Sequence, residues 1–274
     1  LKLALFPLHL WLPNAYTYAP SAITSFLAAT ATKVAIYVML RFLFSVFQPG
    51  FLAEVPTLDL ILYPFAILAM FAASYTAILQ RDLKRMLAYS SIGQVGYMLL
   101  GIALLSESGL MATMIHLFNH GITKAALFMG VGVYVLNGGG SFYHNLRGRG
   151  KTMPWTSAAM VVAGLSLIGV PGTAGFLSKW LLVEATLEQG LWPIALLIVA
   201  SSLLAVIYVW KLIETLYLAQ PAEGLQDQNV PLMMMIPLWV MALACIYFGF
   251  DTDITLSAAR SAAEGLLAGS AGMR

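Results

Sequence analysis

The fold turns on the stretch SFLAATATKVAIYVMLRF, from Ser25 to Phe42. It is almost wholly apolar, yet Lys33 stands well inside it. An ammonium group at the centre of a bilayer costs about 2.5–3.5 kcal/mol on insertion scales. Counted from Ser21, Lys33 is the thirteenth residue of its run, near mid-depth and too far from either end for easy snorkelling. Thr24, Thr30 and Thr32 make the same run locally more polar, which fits an inward, hydrated face. Two readings stand: a structural ion pair with a residue elsewhere, or a group that loads and releases a proton. The second is favoured, because a charge so costly to bury is readily given up.

The rest of the chain agrees with a membrane setting. Of 274 residues, 60% are hydrophobic and 9% charged, with a mean hydropathy of +0.85. Water-soluble domains carry roughly 25% charged residues. The small net charge of +2 argues against a nucleic-acid partner. The single cysteine, Cys245, excludes an intrachain disulfide. The chain shows no zinc-ligand spacing, glycine-rich phosphate loop or nucleophile elbow, so no cofactor, metal site or catalytic site of its own is expected. Leu1 opens the chain as if within a helix, and a fragment of a longer protein is expected.

Apolar runs of about 20 residues suffice to cross a hydrocarbon core of about 30 Å. Eight runs are expected: Leu1–Leu12 (incomplete), Ser21–Phe47, Thr57–Leu79, Met86–Leu105, Leu110–Leu136, Pro154–Ala185, Leu191–Ala219 and Pro231–Phe250. This is an all-α polytopic membrane fold, with a transmembrane domain over 1–250 and a surface tail over 251–274. RDLKR (Arg81–Arg85) and HNLRGRGK (His144–Lys151) are basic, whereas the connections holding Glu54, Glu107 and Glu188 are acidic or neutral. Basic loops stay cytoplasmic, so the loops after the third and fifth runs face inward. The loop with Glu223 and Asp227 follows by alternation alone.

Two runs are interrupted. The first reads LFPLHLWLP, with Pro7 and Pro13; the sixth reads LIGVPGTAGF, with Pro171 between Gly169 and Gly172. Proline removes a donor and crowds the preceding turn, and glycine loosens the backbone. In lipid, an opened helix persists only where protein or internal water meets the freed groups. A single kink can be harmless, but broken helices in pairs point to the working centre of a transporter.

The fifth run contains MIHLFNHGITKAALF, in which His116, His120 and Lys124 fall at i, i+4 and i+8. They share one helix face over about 12 Å. Three titratable groups in file suit proton hopping. Haem ligation fits poorly, since two histidines one turn apart cannot hold one iron from both sides. Helix-packing hydrogen bonds explain one histidine better than three groups. Lys179 follows the sixth run's break by eight residues, and Lys211 and Glu214 are spaced to pair. For His9, ligand, relay and interface roles stay open.

These stretches closely resemble the D-type component of Mrp cation/proton antiporters, within the superfamily of proton-translocating membrane subunits of complex I and membrane-bound hydrogenases. The resemblance rests on LKLALFPLHLWLPNAYTYAPSAITSFLAATATKVAIYVMLRF, RDLKRMLAYSSIGQVGYMLLGI, MIHLFNHGITKAALFMGVGVY and LSLIGVPGTAGFLSKWLLVEA. It implies a fourteen-helix fold with two inverted five-helix repeats, of which this chain resembles the last eight helices. It implies that Lys2 pairs with a glutamate on an earlier helix and that Lys33 is the centre of a hydrophilic axis. By the same resemblance His116, His120 and Lys124 continue that axis and Lys179 ends it.

The expected function is a proton-conducting subunit of a multisubunit cation/proton antiporter in the bacterial cytoplasmic (inner) membrane. Its partners would be other membrane subunits, protons and sodium, with lipid around it. The alternatives are an antiporter-like subunit of NADH-quinone oxidoreductase or of a membrane-bound hydrogenase, a non-conducting structural subunit, or a carrier of a small organic solute. Any redox chemistry would belong to partner subunits.

Overall fold

The computed structural model describes residues 1–47, 57–138, 140–220 and 230–268. Among them the chain is nearly all helical and holds no strand; one isolated antiparallel bridge, Asp82 with Phe142, joins two loops. The helices are α1 (Trp11–Tyr18), α2 (Ser21–Arg41), α3 (Thr57–Leu79), α4 (Leu83–Ala103), α5 (Glu107–Leu136), α6 (Tyr143–Leu146), α7 (Arg149–Thr152), α8 (Pro154–Ile168), α9 (Ala174–Glu188), α10 (Trp192–Ile213), α11 (Leu232–Phe250) and α12 (Asp253–Ala268). Five spans, Ser21–Val46, Leu60–Leu79, Leu83–Ala103, Trp192–Leu218 and Leu232–Phe250, are long and apolar enough to cross a membrane.

The polarity is that of a protein solvated by hydrocarbon. Large apolar side chains face outward, as in the α10 stripe Trp192, Leu196, Val199, Leu203, Ile207 and Trp210. Polar groups are drawn inward: Lys33, Gln94, His116, Asn119, His120, Lys124 and Lys179 are all buried. With no gain from burying apolar surface out of lipid, close packing and polar contacts hold such helices together. Accordingly, α3 turns a stripe of small residues inward, Ala66, Ala69, Ala73 and Ala77, and packs along α4. All of α4 but Arg85 is buried, and α4 and α5 form the centre around which the other helices pack.

Local chemistry sets the helix ends. Asp82 caps α4 by accepting the Arg85 N–H at 2.9 Å, and Ser106 caps α5 by accepting the Gly109 N–H at 3.1 Å. Pro154 starts α8, where its missing N–H needs no partner. The sixth apolar run is two helices, α8 and α9, each 15 residues long. Each is about 22 Å long, too short alone for a core of about 30 Å, so the two together make one crossing.

Loop contacts define the two ends of the molecule. The loops after α3 and α5 meet: Leu83 N–H donates to Ser141 at 2.7 Å and Tyr143 N–H to Arg81 at 3.1 Å. The C-terminal end of α10 joins them, with Gly148 N–H donating to Thr215 at 3.0 Å. At the opposite end the Ser108 hydroxyl donates to Glu188 at 2.5 Å and the Gln189 amide to Leu104 at 2.8 Å. The two basic loops thus share one end.

Two expectations need correction. Residues 1–10 form turns, and the first helix is Trp11–Tyr18 instead of Leu1–Leu12. Pro13 lies in the first turn of that helix, where a missing donor is free of cost, so it opens the helix instead of breaking it. Lys211 does not pair with Glu214. It donates to the carbonyls of Ile78 at 3.0 Å and Gln80 at 2.8 Å, the open end of α3, which draws a cation. Glu54, Glu223, Asp227 and the tail beyond 268 lie outside the described residues.

Candidate functional site

Three helices bring the site together. α5 supplies His116, His120 and Lys124 on one buried face, α2 supplies Lys33, and α9 supplies Lys179. Their exposures run from 0% for Lys124 to 6% for Lys179, so none reaches the surrounding lipid or water freely. Asp82, in a loop at the basic end, is the only acid among the buried described residues. The row is therefore made of cationic titratable groups whose partners are neutral dipoles.

Each lysine finds its partners differently. The Lys33 ammonium donates to the Ala28 carbonyl of its own helix. Lys124 crosses to α4, donating to the Leu87 carbonyl at 2.8 Å and the Ser90 hydroxyl at 2.6 Å. Lys179 folds back on the break and donates to Leu167 at 3.2 Å and Ile168 at 2.8 Å, the terminal carbonyls of α8. Those carbonyls have no intrahelical partner and carry the negative end of the helix dipole. The ammonium also lies 5.0 Å from the centre of the Tyr97 ring, a cation–π contact.

Glycine makes that fold-back possible. Gly169 ends α8 in the left-handed region, with φ +89°, where a side chain is strained. A Cβ at Gly175 would stand 1.8 Å from the Ser166 carbonyl oxygen, so α8 and α9 touch there only because Gly175 has none. Pro171 lies exposed at the turn and Gly172 has φ +85°.

The histidines occupy the centre. His116 and His120 stack with ring centroids 6.1 Å apart. His116 Nδ1 hydrogen-bonds the Ser178 hydroxyl at 2.8 Å; its Nε2 is buried without a partner, as are both ring nitrogens of His120. His120 lies within electrostatic reach of Lys33, Lys124, His116 and Lys179. A cavity of about 10 Å³ borders the pair, lined by Gln94, Asn119, Thr123, Ser166 and Lys179 among others. That is about the room one water needs, and its walls offer the two to four polar partners a buried water requires.

Lys2 is exposed near the start of the described residues and lies outside this buried row. Pro7 is likewise exposed, in the turns before α1. His9 is buried, stacked on Phe6 at 5.2 Å and edge-on to Tyr89 at 6.3 Å. Thr24 and Thr32 are buried as expected of an inward face, but Thr30 is only half-buried and bonds back to Phe26.

Several polar residues of the site escape a motif reading. Ser178 orients His116, Ser90 holds Lys124, Thr123 bonds Ser166 at 3.0 Å, and the Asn119 amide donates to the Ala174 carbonyl at 2.6 Å. Their signal in the sequence is faint but present. Ser178, Thr123 and Asn119 each stand beside a lysine or histidine in an otherwise apolar run, whereas Ser90 and Ser166 carry no such neighbour.

The family profile described as "NADH:quinone oxidoreductase/Mrp antiporter, TM" matches residues 1–205. NADH-quinone oxidoreductase subunit N of Desulforudis audaxviator is 37% identical over 270 residues, covering 94% of this chain and 54% of that protein. A chain of the membrane-bound sulfane sulfur reductase, an archaeal respiratory membrane complex, superposes with a TM-score of 0.84 at 32% identity, covering 97% of this chain and 54% of the other. A chain of the Mrp complex from Dietzia sp. DQ12-45-1b superposes with a TM-score of 0.87 at 24% identity, covering 97% and 57%, a likeness of fold alone. The chain thus spans about half the length of these relatives.

Proposed function

The chain belongs to the NADH:quinone oxidoreductase/Mrp antiporter transmembrane family, and on that footing we propose that it moves protons as the antiporter-like subunit of a quinone-reducing respiratory complex in the bacterial cytoplasmic membrane. In this reading the transmembrane domain over 1–250 conducts, and the described part of the tail, 251–268, lies at the surface. Similarity to a quinone oxidoreductase subunit N supports this assignment over the Mrp antiporter reading. Redox chemistry belongs to other subunits.

One observation carries the proposal: five titratable groups are buried together in the bundle, His116 and His120 stacked 6.1 Å apart among three lysines. A scaffold gains nothing from bearing the insertion cost of three buried lysines. A carrier of organic solutes would need a substrate clamp, and the cavity beside the histidines has room for about one water.

In this mechanism Lys2 and Lys33 load protons, Lys124, His120 and His116 relay them, and Lys179 exchanges them at the broken helix. A charge on one member raises the electrostatic cost of a charge on the next, so loading at one end drives release at the other. Water beside the histidines bridges the nitrogens that lack protein partners. Ser178 holds the His116 ring in line.

The test uses the full-length protein in its complex, reconstituted in liposomes. Lys33→Ala and Lys179→Ala should each abolish proton flux while the complex still assembles. Normal flux in both variants overturns the proposal. Flux that follows quinone reduction and ignores a sodium gradient supports the respiratory assignment; flux that needs the sodium gradient instead supports an antiporter.

A further inference from the structure

A cleft at the basic end lies apart from the lysine–histidine row. It has a volume of about 510 Å³ and opens where the ends of α1 and α3 meet the start of α4 and the 141–142 loop. Arg81, Arg85, Thr17 and Gln80 line it, with Tyr18 and Phe142 at its walls. Two further cations stand behind it. Lys84 donates to the Ala19 carbonyl at 3.2 Å, and Lys211 to the Gln80 carbonyl at 2.8 Å.

The cleft contains one carboxylate, Asp82, and both its oxygens are engaged. One accepts the Arg85 backbone N–H at 2.9 Å and the other the Ser141 hydroxyl. Four cations against one committed carboxylate leave an excess of positive charge. Arg85 also keeps a buried Nε with no hydrogen-bond partner, an unmet donor on a charged fork. Phosphate oxygens match such a fork in charge and in plane. The rim carries aromatic surface, with Tyr18 81% and Phe142 48% exposed, as residues at a membrane–water boundary do. Basic pockets between helices on the cytoplasmic side face the leaflet richest in anionic lipids.

We propose that this cleft binds the headgroup phosphate of an anionic phospholipid of the inner leaflet, with Arg81 and Arg85 on the phosphate and Tyr18 and Phe142 flanking the glycerol region. The site pins the loop between α3 and α4 to the membrane surface, at the end where the loops after α3, α5 and α10 converge.

Native mass spectrometry of the full-length protein, released from nanodiscs of mixed phosphatidylglycerol and phosphatidylcholine, tests this directly. Phosphatidylglycerol should be retained selectively. Arg81→Gln, a change at an exposed position, should reduce that retention about fivefold, the equivalent of one basic residue's contribution near the surface. Arg81→Gln with Arg85→Gln should abolish the selectivity; should the double variant fail to fold, the single one decides. Equal retention of the two lipids, or unchanged retention in Arg81→Gln, overturns the proposal. Thermal stabilisation by inorganic phosphate that matches that of phosphatidylglycerol overturns it too, since the cleft would then be a site for free anion. None of these readouts depends on proton flux.

Discussion

Among single residues, the site shows how a lysine survives in hydrocarbon. Lys33, Lys124 and Lys179 have no buried carboxylate beside them and rely on carbonyls, a hydroxyl and an aromatic face. Such partners hold an ammonium without fixing it, whereas an ion pair would trap the proton. Lys179 depends on Gly169 and Gly175 as much as on its own chemistry. Gly175→Ala forces a Cβ against the Ser166 carbonyl and should cost roughly 1–3 kcal/mol as an overpacking change. Thermal unfolding in detergent measures that loss, and unaltered stability would show that α8 and α9 do not touch there. Ser178→Ala removes the oxygen that orients His116 and should slow proton flux severalfold, with a loss of about 1–3 kcal/mol for the buried nitrogen left unpaired. Full flux in that variant would remove Ser178 from the relay.

Among the helices and loops, the break between α8 and α9 and the clamp at Asp82 do most to place the site. The break turns the end of one helix into the acceptor for Lys179, a use of backbone polarity that an unbroken helix forbids. The Asp82 carboxylate caps α4 and holds the 141–142 loop through Ser141, so one side chain ties the two basic loops together. Losing the cap alone should cost about 1 kcal/mol. Asp82→Ala should therefore destabilise by more than that, and a double-mutant cycle with Ser141→Ala should show coupling between the two positions. Strict additivity in the cycle would mean that the loops are held by backbone contacts alone. The motifs themselves are legible in the chain. LIGVPGTAGF announces an interrupted helix and MIHLFNHGITKAALF a polar face, because proline, glycine and helical period act locally. The first run misleads, because LFPLHLWLP carries two prolines and only three-dimensional packing shows that Pro13 sits in the first turn of a helix.

For the molecule as a whole, the two ends make a labelling prediction. The loops after α3 and α5 and the end of α10 share the basic end, while Glu107 and Glu188 mark the other. Cys245 is the single cysteine and is buried, so introduced cysteines report cleanly. In oriented vesicles His144→Cys should react with an impermeant thiol reagent from the cytoplasmic side, and Glu107→Cys from the opposite side. Labelling of both from one side would invert the assigned topology. The membrane class, the long apolar spans after residue 20 and the identity of the titratable residues are legible in the chain alone, and the charge of its loops predicts which end is cytoplasmic. All of these follow from hydropathy, period and charge along a single run of residues. Folding in three dimensions is what brings Lys33 and Lys179, 146 positions apart, within electrostatic reach of the same histidine. Folding also sends Lys211 to the end of α3 instead of Glu214, and gathers four cations around one cleft at the basic end. Those relations depend on which helix lies beside which, and the rotation of one helix against another is set by packing of small residues and by polar contacts across the bundle, not by any property a single run carries.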